Sequence, residues 1–283
     1  FLLKNAEITE EVNPAKELGE FFQKLFQGGV NRVSIGLQSA DEEELRLLGR
    51  RHTARQAEEA VLAAEKAGFQ NISLDLMLAI QHQTKESLRR SIQFCRDAGV
   101  RHVSAYLLKV EEGTPYFRRK LTLPEEDEVA ELYLFACEEL EKMGFLQYEV
   151  SNFAQPGFES RHNLKYWHDE EYLGIGPAAH SFLNGRRFYY PRDLNAFLRG
   201  DPPEDDGPGG GLEEYAMMNL RLREGLTEAG CAARFGVGIP QEYRARAAAF
   251  EKAGLLSCGR EGISLTRNGF LVSNALIAKI LFG

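Results

Sequence analysis

Through its first half the chain repeats one unit: a short apolar or alternating run, a longer run with apolar residues at 3.6 spacing, then glycine and an apolar residue. The short runs are Ile8 to Asn13, Arg32 to Gln38, Ile72 to Leu78 and Val103 to Leu108. Their length and period suit strands, and the segments between them carry the helical period. Gly28-Gly-Val30, Gly68-Phe69, Gly99-Val100 and Gly144-Phe145 stand where a left-handed helix cap is wanted. Helix starts are marked by Asn13 with Pro14, by Thr53 and Thr84, and by Pro124 ahead of an acidic turn. Strand, helix, cap, strand in series predicts an α/β fold with a parallel sheet covered by helices, either open and doubly wound or part of a barrel. In such sheets the chemistry sits at the carboxyl ends of the strands. That singles out Glu11, Gln38, Asp75 and, in the loop or helix following the second strand, Arg50. An acid, an amide, an arginine and another acid suit a ligand bearing hydroxyls, an amine and a carboxylate.

The densest polar and aromatic stretch lies later, in His162-Asn-Leu-Lys-Tyr-Trp167 and Gly174-Ile-Gly-Pro-Ala-Ala-His180-Ser181. It holds His162, His168 and His180 out of six histidines, and the only tryptophan. Singly, each polar residue reads as a satisfied loop group. Together, beside glycines that let backbone approach a ligand, they mark a binding site.

Several classes of function are excluded. A net charge of -8 argues against broad binding to nucleic acid, and an anionic partner would need a local basic site. Cys95, Cys137, Cys231 and Cys258 are scattered, without metal-ligand spacing. They read as reduced, buried hydrophobes. No apolar run approaches the roughly 20 residues of a bilayer span, and no secretory leader opens the chain. A cytoplasmic protein is expected, with peripheral membrane contact left open.

Six motifs in order, Glu11-Val-Asn-Pro14, Ser34-Ile-Gly-Leu-Gln-Ser39, Leu48-Gly-Arg-Arg-His-Thr53, His102-Val-Ser-Ala-Tyr106, Glu111-Glu-Gly-Thr114 and His162-Asn-Leu-Lys-Tyr-Trp167, carry a resemblance. The chain resembles the oxygen-independent coproporphyrinogen III oxidase-like radical SAM proteins, and the last motif is similar to their haem chaperone branch. The resemblance implies a partial (β/α) barrel followed by a small winged-helix-like domain. It implies S-adenosylmethionine (SAM) at Glu11, Gln38, Arg50 and Asp75, a [4Fe-4S] cluster in the full-length family, and haem passed to a recipient protein. For haem it implies His162 as the iron ligand, Tyr166 and Trp167 as aromatic surface, and Arg161 or Lys165 toward a propionate. Asn163 would fix the loop, and His180 is the alternative ligand or a SAM-pocket residue. The rival reading within the family is the oxidase itself, which decarboxylates propionate side chains by SAM radical chemistry.

Two departures stand out. The family's Cys-x-x-x-Cys-x-x-Cys motif is absent, and the chain reads as beginning at the family's third strand. No catalytic residue is therefore assigned, and oxidase activity is not expected of this chain. Where relatives read Gly-Leu-Pro-Gly-Gln-Thr, this chain has Ala79-Ile-Gln-His-Gln-Thr84, in which His82 reads as an exposed loop residue. The expected domains are 1–200, a proline- and glycine-rich linker at 201–211, and 212–283 in winged-helix order. The last has nine Lys/Arg against seven Asp/Glu, too weakly basic to predict DNA binding.

Overall fold

Side-chain alternation along the predicted strands separates two chemistries. In the computed structural model, which describes residues 3–114, 116–119 and 121–283, those strands are β1 (Thr9–Val12), β2 (Arg32–Gln38), β3 (Asn71–Leu78) and β4 (His102–Leu107). Between them run α1 (Gly19–Gln27), α2 (Glu42–Leu48), α3 (Ala54–Ala67) and α4 (Lys85–Asp97), and α5 (Glu126–Lys142) leads into the short strands β5 (Leu146–Gln147) and β6 (Asn152–Ala154). The sheet order is β1-β2-β3-β4-β6-β5. Its first four strands are parallel, and β6 and β5 add antiparallel at the edge. Together these elements make one compact unit, residues 1–159.

One face of this sheet is apolar. Val33, Ile35, Leu37, Leu74, Leu76, Leu78, Val103 and Ala105 are almost wholly buried, as are Phe22, Val61, Ile92 and Leu140 of the helices. Burying each large apolar side chain contributes about 1.5 to 3 kcal/mol, so this face drives folding. The other face is largely polar. Glu11, Ser34, Ser73 and His102 share one row, and Asp75, Ser104 and Asn152 share the next. Polar residues at every second position of a strand this apolar mark a face reserved for something other than the core.

Thr53 and Thr84 cap α3 and α4 as expected, each within a reciprocal capping box. Asn13 does not cap a helix. The first helix begins at Gly19 after a loop, and Asn13 is used at a distance, accepting from Arg50 Nη1 at 3.4 Å. The Ala79–Thr84 departure keeps the turn that glycine would give. Ala79 adopts φ 60°, a conformation costing a β-carbon of order 1 kcal/mol. Its amide donates to Gln83 Oε1 at 2.7 Å, and Gln83 in turn donates to buried Glu44. His82 is exposed, as expected.

Residues 160–283 make the second unit. It opens with α6 (Arg161–Trp167), then β7 (His180–Leu183), β8 (Arg186–Tyr189), α7 (Leu194–Arg199) and β9 (Glu204–Pro208), the three strands forming an antiparallel meander. After it come α8 (Leu212–Asn219), β10 (Leu226–Thr227), α9 (Glu228–Phe235), α10 (Gln241–Glu251), β11 (Leu256–Cys258), β12 (Gly262–Leu265), α11 (Arg267–Leu271) and α12 (Ser273–Leu281). The sheet β10-β12-β11 beside these helices is the winged-helix arrangement expected from the sequence. The 201–211 stretch is not a free linker, because it contains β9, paired with β8 from Arg186↔Pro208 to Tyr189↔Glu204. An edge strand buries little and needs no apolar period, which is why its composition read as linker.

Candidate functional site

Of the four residues expected at strand ends, Glu11 and Gln38 lie at or next to the ends of β1 and β2, whereas Asp75 sits in the middle of β3 and Arg50 follows α2. Glu11 lies in register with Ser34, whose hydroxyl donates to Asp75 Oδ1 at 2.9 Å. Burial pushes the Asp75 carboxyl up, the Ser34 and Ser104 hydroxyls pull it down, Glu11 pushes it up again, and Arg32 lowers it. Gln38 ends β2 at φ 68° after a register shift. A Cβ on Gly36 would stand 2.9 Å from Gln38 Nε2 and 3.5 Å from Asn13 Oδ1, so the absence of a side chain there lets Gln38 lie over the strand beside Asn13. Arg50 completes the group through Asn13. It is exposed, and nearby His52 Nε2 anchors its loop by donating to Leu37 O at 3.1 Å.

Deeper on this face lie groups that the sequence did not single out. Glu149 is wholly buried, and neither of its carboxyl oxygens has a hydrogen-bond partner. Burial pushes its pKa up to about 7; the backbone amides of Ser151, Asn152 and Val150 and the Asn152 side chain pull it down without reaching bonding geometry. The Asn152 Oδ1 is likewise buried and unpartnered. Burial also raises the Tyr106 hydroxyl, which feels both Asp75 and Glu149. No local pattern marks Glu149, which sits in the turn between two very short strands.

In the second unit, α6 carries the His162 motif and buries none of its residues. The Ser160 hydroxyl caps it by accepting from Asn163 N at 3.4 Å. His162 and Tyr166 are one turn apart, with Tyr166 Oη 3.0 Å from His162 Nε2 and their rings edge to face. Tyr166 packs edge to face on Tyr172 with centroids 4.6 Å apart. The result is a ladder of three rings, two of them on α6 and the third, Tyr172, beyond its end. Arg161 and Lys165 are exposed, Asn163 and Trp167 half-buried, and Lys165 pairs with Glu170. Leu173 and Ile175 follow at 60% and 80% exposure, adding apolar surface close by in the chain. His180 sits in β7 and stacks on Tyr189 with centroids 5.0 Å apart, so its ring partner is not on α6. The Gly174 run serves the backbone itself: a Cβ at Gly174 would fall 2.1 Å from His180 O, and Gly174 N donates to Ser181 Oγ.

Asp169, two residues past α6, holds this arrangement. Its side chain has no exposure and accepts from Arg187 Nη2 at 3.0 Å and Arg234 Nη2 at 2.8 Å. Arg187 also donates to Glu214 and to the Tyr172 hydroxyl, and Arg234 to the carbonyls of His168 and Asp169. Burial raises the Asp169 pKa, opposed first by Arg234. The sequence showed here only an acidic turn. Cys95, Cys137 and Cys231 are buried in the cores and Cys258 is half-buried. Burial drives the Cys95 thiol far up, the opposite of what a metal thiolate needs. Among the described residues no group of three or more His, Cys, Asp or Glu is placed to hold a metal ion.

Comparison with known proteins gives a consistent picture. The Radical SAM superfamily matches residues 2–95 and the HemN C-terminal domain residues 211–272. The heme chaperone HemW of Lactococcus lactis subsp. lactis is 33% identical over 97% of this chain and 75% of its own length. That of Mycobacterium tuberculosis is 35% identical over 99% of this chain and 73% of its own. Among solved structures, coproporphyrinogen III oxidase (HemN) from Escherichia coli superposes with a TM-score of 0.80 at 19% identity, over 98% of this chain and 70% of that one. At that identity the likeness is one of fold.

Proposed function

Because this chain belongs to the heme chaperone HemW family of radical SAM proteins, we propose that it binds haem on α6 and passes it to a haem-accepting protein of the cytoplasm. The observation that carries the site is an imidazole on a helix with no fully buried residue, backed by two tyrosine rings and flanked by two cations. These groups fit a flat apolar ligand with carboxylates at its rim. His162 Nε2 would hold the iron and give up its hydrogen bond with Tyr166 Oη. Trp167 is the only tryptophan, so haem seated on α6 is expected to quench its emission saturably, at one to one. His162→Ala is expected to shift the Soret band and weaken binding, and Asn163→Ala to do less, because an amide is no iron ligand. If His180→Ala loses the spectrum while His162→Ala keeps it, the ligand is His180; if neither changes it, α6 is not the haem site.

The same reading gives SAM to the polar sheet face, with Glu11, Gln38, Arg50 and Asp75 as its contacts. None of the four cysteines stands at cluster-ligand spacing, so on this chain SAM meets side chains alone. Losing one or two charge-assisted contacts, about 1.5 to 3 kcal/mol each, weakens binding tenfold or more. Calorimetry is expected to find dissociation constants of about 1 mM or weaker. Micromolar binding that survives Asp75→Ala would show these residues wrongly chosen.

A further inference from the structure

Arg32 begins β2 on the polar face, in register with Thr9 of β1 and Asn71 of β3. It is only 4% exposed. Its Nε–H has no hydrogen-bond partner, and neither has the Thr9 Oγ1 on one side nor the Asn71 Oδ1 on the other. Three neighbouring strands thus contribute one buried, unsatisfied polar atom each to a single row. The acid that feels Arg32, Asp75, spends its Oδ1 on the Ser34 hydroxyl. A guanidinium stays protonated at any working pH, so this side chain cannot escape burial by losing its charge. Proteins pair or neutralise buried charges, because an unpaired one is costly. Thr9 and Asn71 are half-buried, so the row is not sealed from the surface.

We propose that Arg32, Thr9 and Asn71 form a subsite for a carboxylate group on the amino-terminal floor of the polar sheet face, separate from Glu11, Gln38, Arg50 and Asp75. The guanidinium supplies the charge and an Nε–H donor. Thr9 adds a hydroxyl, and a half-turn of the Asn71 amide brings its NH2 round to donate. One fixed positive charge matches a singly charged carboxylate better than a doubly charged phosphate, more so with Glu11 in the next row and Asp75 in the one after. The subsite is independent of the haem reading, whose residues all lie in the second unit.

The test uses the 283-residue chain and sodium propionate as probe, with sodium chloride and sodium phosphate at matched ionic strength and pH as the other arms. Propionate is expected to raise the melting temperature saturably above the chloride value, and phosphate to raise it less. Arg32→Met is expected to abolish the propionate effect and, with the unpaired charge gone, to melt above the wild type in chloride. The proposal is overturned if propionate does no more than chloride, if phosphate does more, if Arg32→Met keeps the effect, or if Arg32→Met melts lower in chloride. Should that variant not fold, the Arg32 Nε–H signal of the wild type serves in its place: it is expected to move with propionate and not with chloride, and an unmoved signal overturns the proposal.

Discussion

Glu149 shows what a single buried acid does to the whole fold's response to pH. An ordinary glutamate, and Glu149 in the unfolded chain, titrates near 4.5; in the folded protein burial holds it near 7. Between those values the folded state binds more protons than the unfolded state. Its contribution to stability is therefore fully present below pH 4.5 and lost as pH rises through 7. The full swing is about 3 kcal/mol at 1.36 kcal/mol per pH unit. Glu149→Gln keeps the size of the side chain and removes the proton. Denaturant melts at pH 5 and pH 8 are expected to show the variant more stable than the wild type at pH 8, with a smaller difference between the two pH values. An unchanged pH dependence would mean that Glu149 is solvated. Nothing nearby in sequence announced this residue, since its environment is assembled from β4, β6 and α5, whereas Glu11 and Asp75 were legible because each lies within a short strand, which is a local feature.

At the scale of elements, caps and strands were readable and long-range ties were not. Thr53 and Thr84 cap helices through neighbours three residues on, so a short window contains the whole motif. Asn13 looked like a cap with Pro14 beside it but is used by Arg50, which lies 37 residues later. The polar β9 became visible only through its pairing with β8. Asp169 is the strongest case, since its arginines lie 18 and 65 residues away, on β8 and α9. They lock the end of α6, a helix with no buried residue of its own. Asp169→Ala leaves two partly buried guanidinium groups without their shared acid and is expected to cost about 3 kcal/mol. Asp205→Ala breaks an ion pair whose side chains are 58% and 60% exposed and should cost far less than Asp169→Ala. Thermal melts of the two variants compare them directly. Equal losses would remove Asp169 from its role as the anchor of the haem-motif helix.

At the scale of the whole molecule, two chemistries are assigned to two separately compact units. Glu11, Gln38, Arg50 and Asp75 all fall within residues 1–159, while His162, Tyr166, Tyr172, Asp169, Arg187 and Arg234 all fall within 160–283. The second unit also has its own core, in which Leu226, Ile263, Leu265, Ile277 and Ile280 are almost wholly buried. A helix whose aromatic ladder, anchoring acid and both arginines belong to one unit does not need the first sheet to keep its shape. Residues 160–283 expressed alone are therefore expected to unfold cooperatively and to bind haem with the Soret spectrum of the whole chain, lost on His162→Ala. Residues 1–159 alone should show no such spectrum. If 160–283 folds but binds no haem while the intact chain does, the second unit is not sufficient for haem binding.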